Sequence, residues 1–364
     1  MMGTMLNPTK IINRIPILGS AYKRNYFVLK RGYHNLLRES GLRPGPLMVS
    51  WVATNRCDSK CVYCEARANE ADPNELTTKE IKRVIDELAD LKVRRFFVIG
   101  GEPFMRHDLF EVLAHARQHG MAVGIFTNSL KYKKYRQEIE AAQLQHIWTS
   151  IDGLATTHDK YRGRSGAYET TMEAVSCYAR LGIPVRVINT VVHPGNLHEM
   201  PSLFERIKDS GATWWRLGAV IPVGRALDSD DFNLTSEDII NLFRFAEVCR
   251  REFNVTITEE MGYIGCYEDT LRDGPFYCHA GQTFCAIMPD GDVVPCQTDD
   301  GHQYSEGNIR ERPFRDIWRQ GFSTFRHVTL PKECGGCDDR HACCGGCWIV
   351  RRHGAPCTKR SVGL

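Results

Sequence analysis

Three cysteines stand within eight residues in "CDSKCVYC": Cys57-x3-Cys61-x2-Cys64, with no fourth beside them. Thiolates are soft ligands, suited to zinc and to iron–sulfur clusters. A structural zinc site is closed by four ligands. Here the fourth would have to come from a distance, with His107 the remote candidate. Three thiolates can instead hold three irons of a [4Fe–4S] cube and leave the fourth iron open. An open coordination position is where chemistry can take place.

The chain has 364 residues and fifteen cysteines. Cys334, Cys337, Cys343, Cys344, Cys347 and Cys357 crowd the C-terminal end, helped by Cys278 and Cys296. Such tight clusters read as metal-binding before disulfide-bonded, and imply a reducing, cytoplasmic compartment. Cys177 and Cys249 fall inside amphipathic stretches and are expected in the core. Composition is that of a globular protein, 42% hydrophobic and 25% charged. A net charge of +3 gives no ground for a nucleic-acid partner. No apolar run reaches the ~18 residues of a transmembrane helix, and the N-terminus lacks the apolar core of a secretion signal.

The elements that must position the first cluster alternate along the chain. "LMVSWVAT" (47–54) reads as a strand. "LTTKEIKRVIDELADL" (76–91) puts Ile81, Val84, Ile85, Leu88 and Leu91 on one helical face, and Thr77 and Glu80 have capping-box spacing. "RFFVIGG" (95–101), "VGIFTN" (123–128), "IWTSIDG" (147–153), "VRVINTVV" (185–192) and "WWRLGAV" (214–220) supply strands two to six. Helical stretches separate them, two ending at Gly120 and Gly182. Strands joined by helical crossovers form a parallel sheet, so the expected fold is α/β, a partial parallel (β/α)6 TIM-like barrel. Residues 1–46 read as a helical extension, a packing arm in preference to a membrane-surface helix. Residues 47–232 form the core barrel, 233–261 a bridging helix and 262–364 a Cys-rich, metal-stapled domain.

In a parallel barrel, reactive groups gather at the C-terminal ends of the strands. The cysteine loop follows strand one. Gly100, Gly101, Glu102 and Pro103 follow strand two; Thr127 and Asn128 end strand three. Ser150 and Asp152 end strand four, and Asn189 lies late in strand five. All converge on one rim. Simpler roles exist for some of them: a tight turn at Gly100–Gly101, a helix cap at Asp152, a solvated loop charge at Arg162.

Taken together, these motifs resemble the radical S-adenosylmethionine (SAM) superfamily over roughly residues 47–225. The resemblance rests on Cys57-x3-Cys61-x2-Cys64 with Tyr63 before the last cysteine, on "GGEP", and on "SIDG…HDKYRGRSGAYE" (150–169). Cys278-x12-Gly291-x4-Cys296, followed by Cys334-x2-Cys337-x5-Cys343-x3-Cys347 and Cys357, is similar to the SPASM domain. A zinc ribbon is the alternative for Cys334, Cys337, Cys343 and Cys347.

The resemblance implies that SAM chelates the open iron of one catalytic [4Fe–4S] cluster on Cys57, Cys61 and Cys64. Reduction would release a 5′-deoxyadenosyl radical that abstracts hydrogen from a substrate. Gly100, Gly101 and Glu102 would line the methionine amino group. Ser150 and Arg162 would hold its carboxylate, and Asn189 would lie near ribose or adenine. Two auxiliary [4Fe–4S] clusters are implied: one on Cys278, Cys296 and Cys347, one on Cys334, Cys337, Cys343 and Cys357. The fourth ligand of the former is open between Cys266, Cys285, Cys344 and none. Peptide or protein modification (crosslinking, epimerisation or oxidation) is the favoured function. Cofactor or small-metabolite biosynthesis is the runner-up, and a non-catalytic electron-transfer or scaffold protein the alternative of another class. A flavodoxin- or ferredoxin-type electron donor and a separate leader-binding protein are the expected partners. "IPVGRA" (221–226) resembles a segment of SPASM enzymes, with Arg225 facing either the cavity or the surface.

Overall fold

The computed structural model describes residues 16–298, 303–354 and 357–363. The first fifteen residues of the expected N-terminal extension therefore lie outside the described residues. Helix α1 (Pro16–Glu39) opens the described chain. It buries Phe27 beside Phe276 and Tyr277, with Lys30 Nζ 4.4 Å from the centre of the Tyr277 ring. This segment packs as an arm on the C-terminal part of the molecule.

Seven strands follow: β1 (Met48–Val52), β2 (Arg95–Ile99), β3 (Ala122–Phe126), β4 (His146–Ser150), β5 (Val185–Val192), β6 (Trp214–Ala219) and β7 (Val255–Ile257). Each pairs in parallel with the next. On the other side of β1, β8 (Phe284–Ile287) joins in parallel, and β9 (Val293–Val294) closes a hairpin on it. The order β7-β6-β5-β4-β3-β2-β1-β8-β9 leaves two free ends, so the barrel is unclosed. The six expected strands are all present. The sheet runs further: β7 is too short to stand out in the sequence, and β8 and β9, readable as short strands of the Cys-rich domain in "AIMPDGDVVPC", extend the barrel sheet instead.

Helices α2 (Thr78–Asp90), α3 (Leu109–Gln118), α4 (Arg136–Ala142), α5 (Ala155–Arg162), α6 (Ala167–Arg180), α7 (Met200–Lys208) and α8 (Ser236–Cys249) fill the connections. The Thr77–Glu80 capping box starts α2, whose Ile81, Val84, Ile85 and Leu88 are buried. Cys177 and Cys249 are buried core residues. Phe314, Ile317, Trp318 and Phe322, far along the chain, join the same core as α2 and α3. Among the described residues no helix is long and apolar enough to cross a membrane.

Register sets the inner wall. Phe97, Gly124 and His146 share one row; Phe126, Trp148, Val187 and Trp214 the next; Ser150, Asn189 and Arg216 the rim. Trp215 points outward and is fully buried, whereas Trp214 is half-buried on the inside. The rings of Phe126 and Trp148 stack at 4.3 Å, and His146 stacks on the same Trp148 at 5.2 Å.

Candidate active site and metal centres

The cysteine loop leaves the C-terminal end of β1 and is held from three sides. From β2, Gly101 N donates to Thr54 O (2.7 Å) and Glu102 N to Arg56 O (2.9 Å). A β-carbon at Gly100 would lie 2.6 Å from Thr54 O, and one at Gly101 2.5 Å from Arg56 O. The two glycines are thus required by close backbone approach, not by a turn of positive φ. From α5, the carbonyls of Arg162 and Tyr161 accept from Lys60 N (3.1 Å) and Val62 N (3.0 Å). From the turn after β6, Arg225 N donates to Cys64 O (2.9 Å), its Nε to Cys61 O (2.7 Å) and its Nη1 to Ala68 O (3.1 Å). Arg225 is neither a cavity charge nor a surface pair but a clamp on the loop carbonyls. The motif alone could not show this, because all the acceptors are backbone atoms some 160 residues earlier.

Glu102 is fully buried. Its carboxylate accepts from Phe104 N (3.0 Å), Thr127 Oγ1 (2.8 Å) and Asn128 N (2.7 Å), tying the ends of β2 and β3 together. Burial pushes this carboxyl up to about 7, with the three donors pulling against it. Pro103 begins a buried single turn, and Asn128 Nδ2 donates to Asp58 Oδ1 (2.7 Å) and Ser59 Oγ (3.1 Å). Asn128 therefore braces the loop through its side chain, and Thr127 braces Glu102.

Asp152 is buried at the end of β4 and caps no helix; Leu154 precedes α5. It accepts from Tyr63 Oη (2.8 Å), Val191 N (2.8 Å) and Arg162 Nε (2.5 Å). Burial alone would raise its carboxyl, but Arg162, His158 and these donors outweigh it and hold it below the ordinary carboxylate range. Arg162 is the last residue of α5, with its side chain only 14% exposed, and is no solvated loop charge. Its Nη1 points at Cys61 Sγ, 3.6 Å away. With Nε and Nη2 on Asp152, Arg162 supports the loop from beneath. A second arginine, Arg216, stands in line with Ser150 and Asn189 and is paired to Glu259. The residue pattern concealed it inside an apolar strand. Tyr63, Tyr161, His193 and Phe232 pack as one aromatic group beside the loop.

The C-terminal cysteines fall into two neighbourhoods. Cys278, Cys296 and Cys347 are electrostatic neighbours, and so are Cys334, Cys337, Cys343 and Cys357. Burial pushes the Cys296 and Cys343 thiols up to about 12, and Cys57 likewise. Metal binding must therefore drive the thiols' deprotonation. Cys285 is sealed in β8, where it pairs in register with Val49. Cys266 is exposed, and Cys344 packs near Phe27 and Tyr277.

Two observations test these residues against the groups they would hold. A zinc ion with 2.3 Å bonds draws its thiolates to about 3.8 Å from one another. Among the described residues, no three cysteine sulfurs come within 4.8 Å of one another; the one triad of metal-ligating type that does is Asp86, His115 and His119 at the outer surface. His107, the remote candidate for a zinc site, is exposed. A four-iron cube holds each thiolate on a different iron and needs no such close triad. At the rim, Asn189 Oδ1 is buried with no hydrogen-bond partner, as a residue awaiting a polar ligand would be.

Comparisons with known proteins agree. Residues 51–207 match the Radical SAM superfamily, and residues 278–338 match the SPASM iron–sulfur cluster-binding domain. An AdoMet-dependent heme synthase of Methanosarcina barkeri (strain Fusaro / DSM 804) is 31% identical over 82% of this chain and 90% of its own. The mycofactocin maturase MftC of Mycolicibacterium smegmatis is 28% identical over 86% of this chain and 80% of its own. The structure of Streptococcus suis SuiB bound to S-adenosylmethionine superposes with a TM-score of 0.68 at 19% identity, covering 89% of this chain and 78% of that one. At that identity it establishes the fold alone. The chain belongs to the radical SAM superfamily and carries a C-terminal SPASM domain.

Proposed function

We propose that this chain is a SAM-dependent radical enzyme that modifies a residue of a peptide or protein held against the inner wall of the half-barrel. Reductive cleavage of bound SAM supplies a 5′-deoxyadenosyl radical to take a hydrogen atom from the substrate. The protein's own task is to hold and exclude. Cys57, Cys61 and Cys64 hold the catalytic cluster; the backbone of Gly100, Gly101 and Glu102 lines the methionine end of SAM. Ser150 and Asn189 offer polar contacts at the rim. Phe97, Phe126, Trp148 and Trp214 form a wall that keeps water from a primary carbon radical.

The observation that carries the peptide reading is the character of that wall. It is aromatic and belongs to a sheet with two free ends, an arrangement that would suit a polymer segment. The rim cation, Arg216, is already met by Glu259. The maturase MftC among the relatives supports the same reading. A second reading is a tetrapyrrole substrate. The heme synthase relative, together with the flat stack of Phe126, Trp148 and His146, favours it.

Two auxiliary clusters, on the two cysteine neighbourhoods, would accept the electron that the substrate radical loses as it is oxidised to product. A flavodoxin- or ferredoxin-type protein would deliver the priming electron, and a separate protein would present a leader segment. The test is anaerobic turnover with SAM and a reductant. 5′-Deoxyadenosine release should be stimulated by a short peptide encoded beside the gene, with a mass change on that peptide. Stimulation by iron–coproporphyrin alone would instead establish the second reading.

A further inference from the structure

Helices α2 and α3 pack side by side, with Val84, Ile85 and Leu88 of one and Val112, Leu113 and Ala116 of the other buried in one core. Their solvent side is a seam of paired polar groups. One turn shows the simple form, in which Lys82 Nζ donates to Glu111 Oε1 (2.5 Å). The next turn departs from it, because Asp86 stands opposite two imidazoles. His115 Nε2 lies 2.7 Å from Asp86 Oδ1, and His119 Nε2 lies 3.0 Å from the same oxygen. One partner is enough for a seam; the second imidazole calls for another explanation.

His115 and His119 are one helical turn apart, so both rings leave the same face of α3. His119 caps the end of α3, and its N–H still donates to His115 O (3.3 Å), which keeps that turn closed. The two rings meet edge to face with centres 4.9 Å apart. Both ring nitrogens and the carboxylate oxygen lie within 4.8 Å of one another, a convergence that no three cysteine sulfurs reach among the described residues. A tetrahedral ion with bonds of about 2.0–2.1 Å sets its ligand atoms about 3.3 Å apart, so the distances to Asp86 need widen only slightly. All three side chains rise from helices whose other faces are locked in the core, which suits a preformed site.

The donor set names the class of ion. Two imidazoles and one carboxylate suit zinc and its borderline neighbours, whereas magnesium and calcium favour oxygen ligands. Asp86 and His119 are exposed and His115 half-buried, so water can complete the coordination. We propose that Asp86, His115 and His119 form a surface site for one divalent transition-metal ion of the zinc class, separate from every cysteine of the chain. The ion would cross-link α2, which precedes β2, to α3, which follows it. It would thus fasten both connections of the strand that leads into Gly100–Glu102.

The test uses the full chain with its clusters reconstituted anaerobically, so that iron already fills the thiolates, and zinc chloride as the probe. After equilibrium dialysis, elemental analysis should find one zinc per chain with no loss of iron. X-ray absorption at the zinc edge should show imidazole nitrogen and oxygen around the ion and no sulfur. Asp86→Asn, His115→Ala and His119→Ala should each weaken zinc binding by at least about tenfold. Zinc should raise the unfolding temperature of the native chain and not that of the variants. Zinc that displaces iron or carries sulfur ligands belongs to the cysteines and overturns the assignment. So does a native chain that binds none, or variants that bind as tightly as it does. The absorption measurement is made on the native chain, so it decides the matter even if a variant fails to fold.

Discussion

The loop of Cys57–Cys64 and the C-terminal stretch 331–363 both gather cysteines, yet the fold treats them oppositely. The former is clasped by β2, α5 and Arg225 through backbone bonds and two glycine contacts too close for any side chain. The latter is made of Lys332–Cys334, Arg340–Cys343, Trp348–Arg352 and Thr358–Ser361, helical turns of three to five residues. Helices that short do not persist without outside support. Among the described residues of this stretch, only Ala342, Ile349 and Val362 are buried hydrophobics. The first site is organised by protein contacts; in the second, metal would have to supply much of the order.

The largest test of that contrast is to remove ligands from each region. Cys334→Ser with Cys343→Ser should leave residues 331–363 without fixed structure, because metal binding there is folding free energy, on the order of several kcal/mol. Hydrogen exchange by mass spectrometry should show this stretch fully exchanged and the barrel strands still protected. Cys57→Ala with Cys61→Ala should do the reverse: SAM cleavage vanishes while protection of β1 and α5 is kept. Loss of protection around the first loop would mean that it too is shaped by iron, and the contrast would fail.

A single methyl group sharpens the comparison. Gly101→Ala places a β-carbon 2.5 Å from the Arg56 carbonyl, where only backbone can yield. The expected cost is about 1–3 kcal/mol of stability, with a displaced loop that retains less iron. Gly336→Ala, between Cys334 and Cys337, meets nothing within 4 Å and should be silent. Thermal unfolding and iron content of the two variants decide the matter. Equal effects would show that the first loop is no more tightly fitted than the second.

What the sequence disclosed follows the same division. The six strands, the rim and both sets of cysteines were legible, because side-chain periodicity and ligand spacing are local properties. Arg225 and Arg216 were not. The former acts on carbonyl oxygens, which no residue code records, and the latter on a partner supplied by a distant turn. Arg162 read equally well as a loop charge, since the Asp152 beneath it is buried only by the fold. Short strands at "AIMPDGDVVPC" (286–296) were legible, but the pairing of β8 with β1 was not, because it spans more than 230 residues; Cys285 looked like a ligand until that register turned it into the core.

The smallest effect concerns how the C-terminal part is fastened to the barrel. Arg310 donates through Nε to Glu80 Oε1 (2.7 Å), the same carboxylate that closes the capping box at the start of α2. The hydrogen bond from Arg310 chiefly, with Thr77 assisting against slight burial, holds the Glu80 carboxyl down at about 2. A carboxyl depressed in the folded state contributes fully above its unfolded value and loses that contribution as pH falls through the folded one. The gap in stability between the native chain and Glu80→Gln should thus be flat from pH 6 to 8. The two side chains are 35% and 25% exposed, enough for solvent to screen the pair, so the gap should be modest, about 1 kcal/mol or less, and should shrink in concentrated salt. Unfolding of Glu80→Gln, Arg310→Met and the double variant gives the coupling directly. Zero coupling would leave the capping box as the whole of Glu80's contribution, and would remove this tie from the set that joins the ordered barrel to its Cys-rich tail.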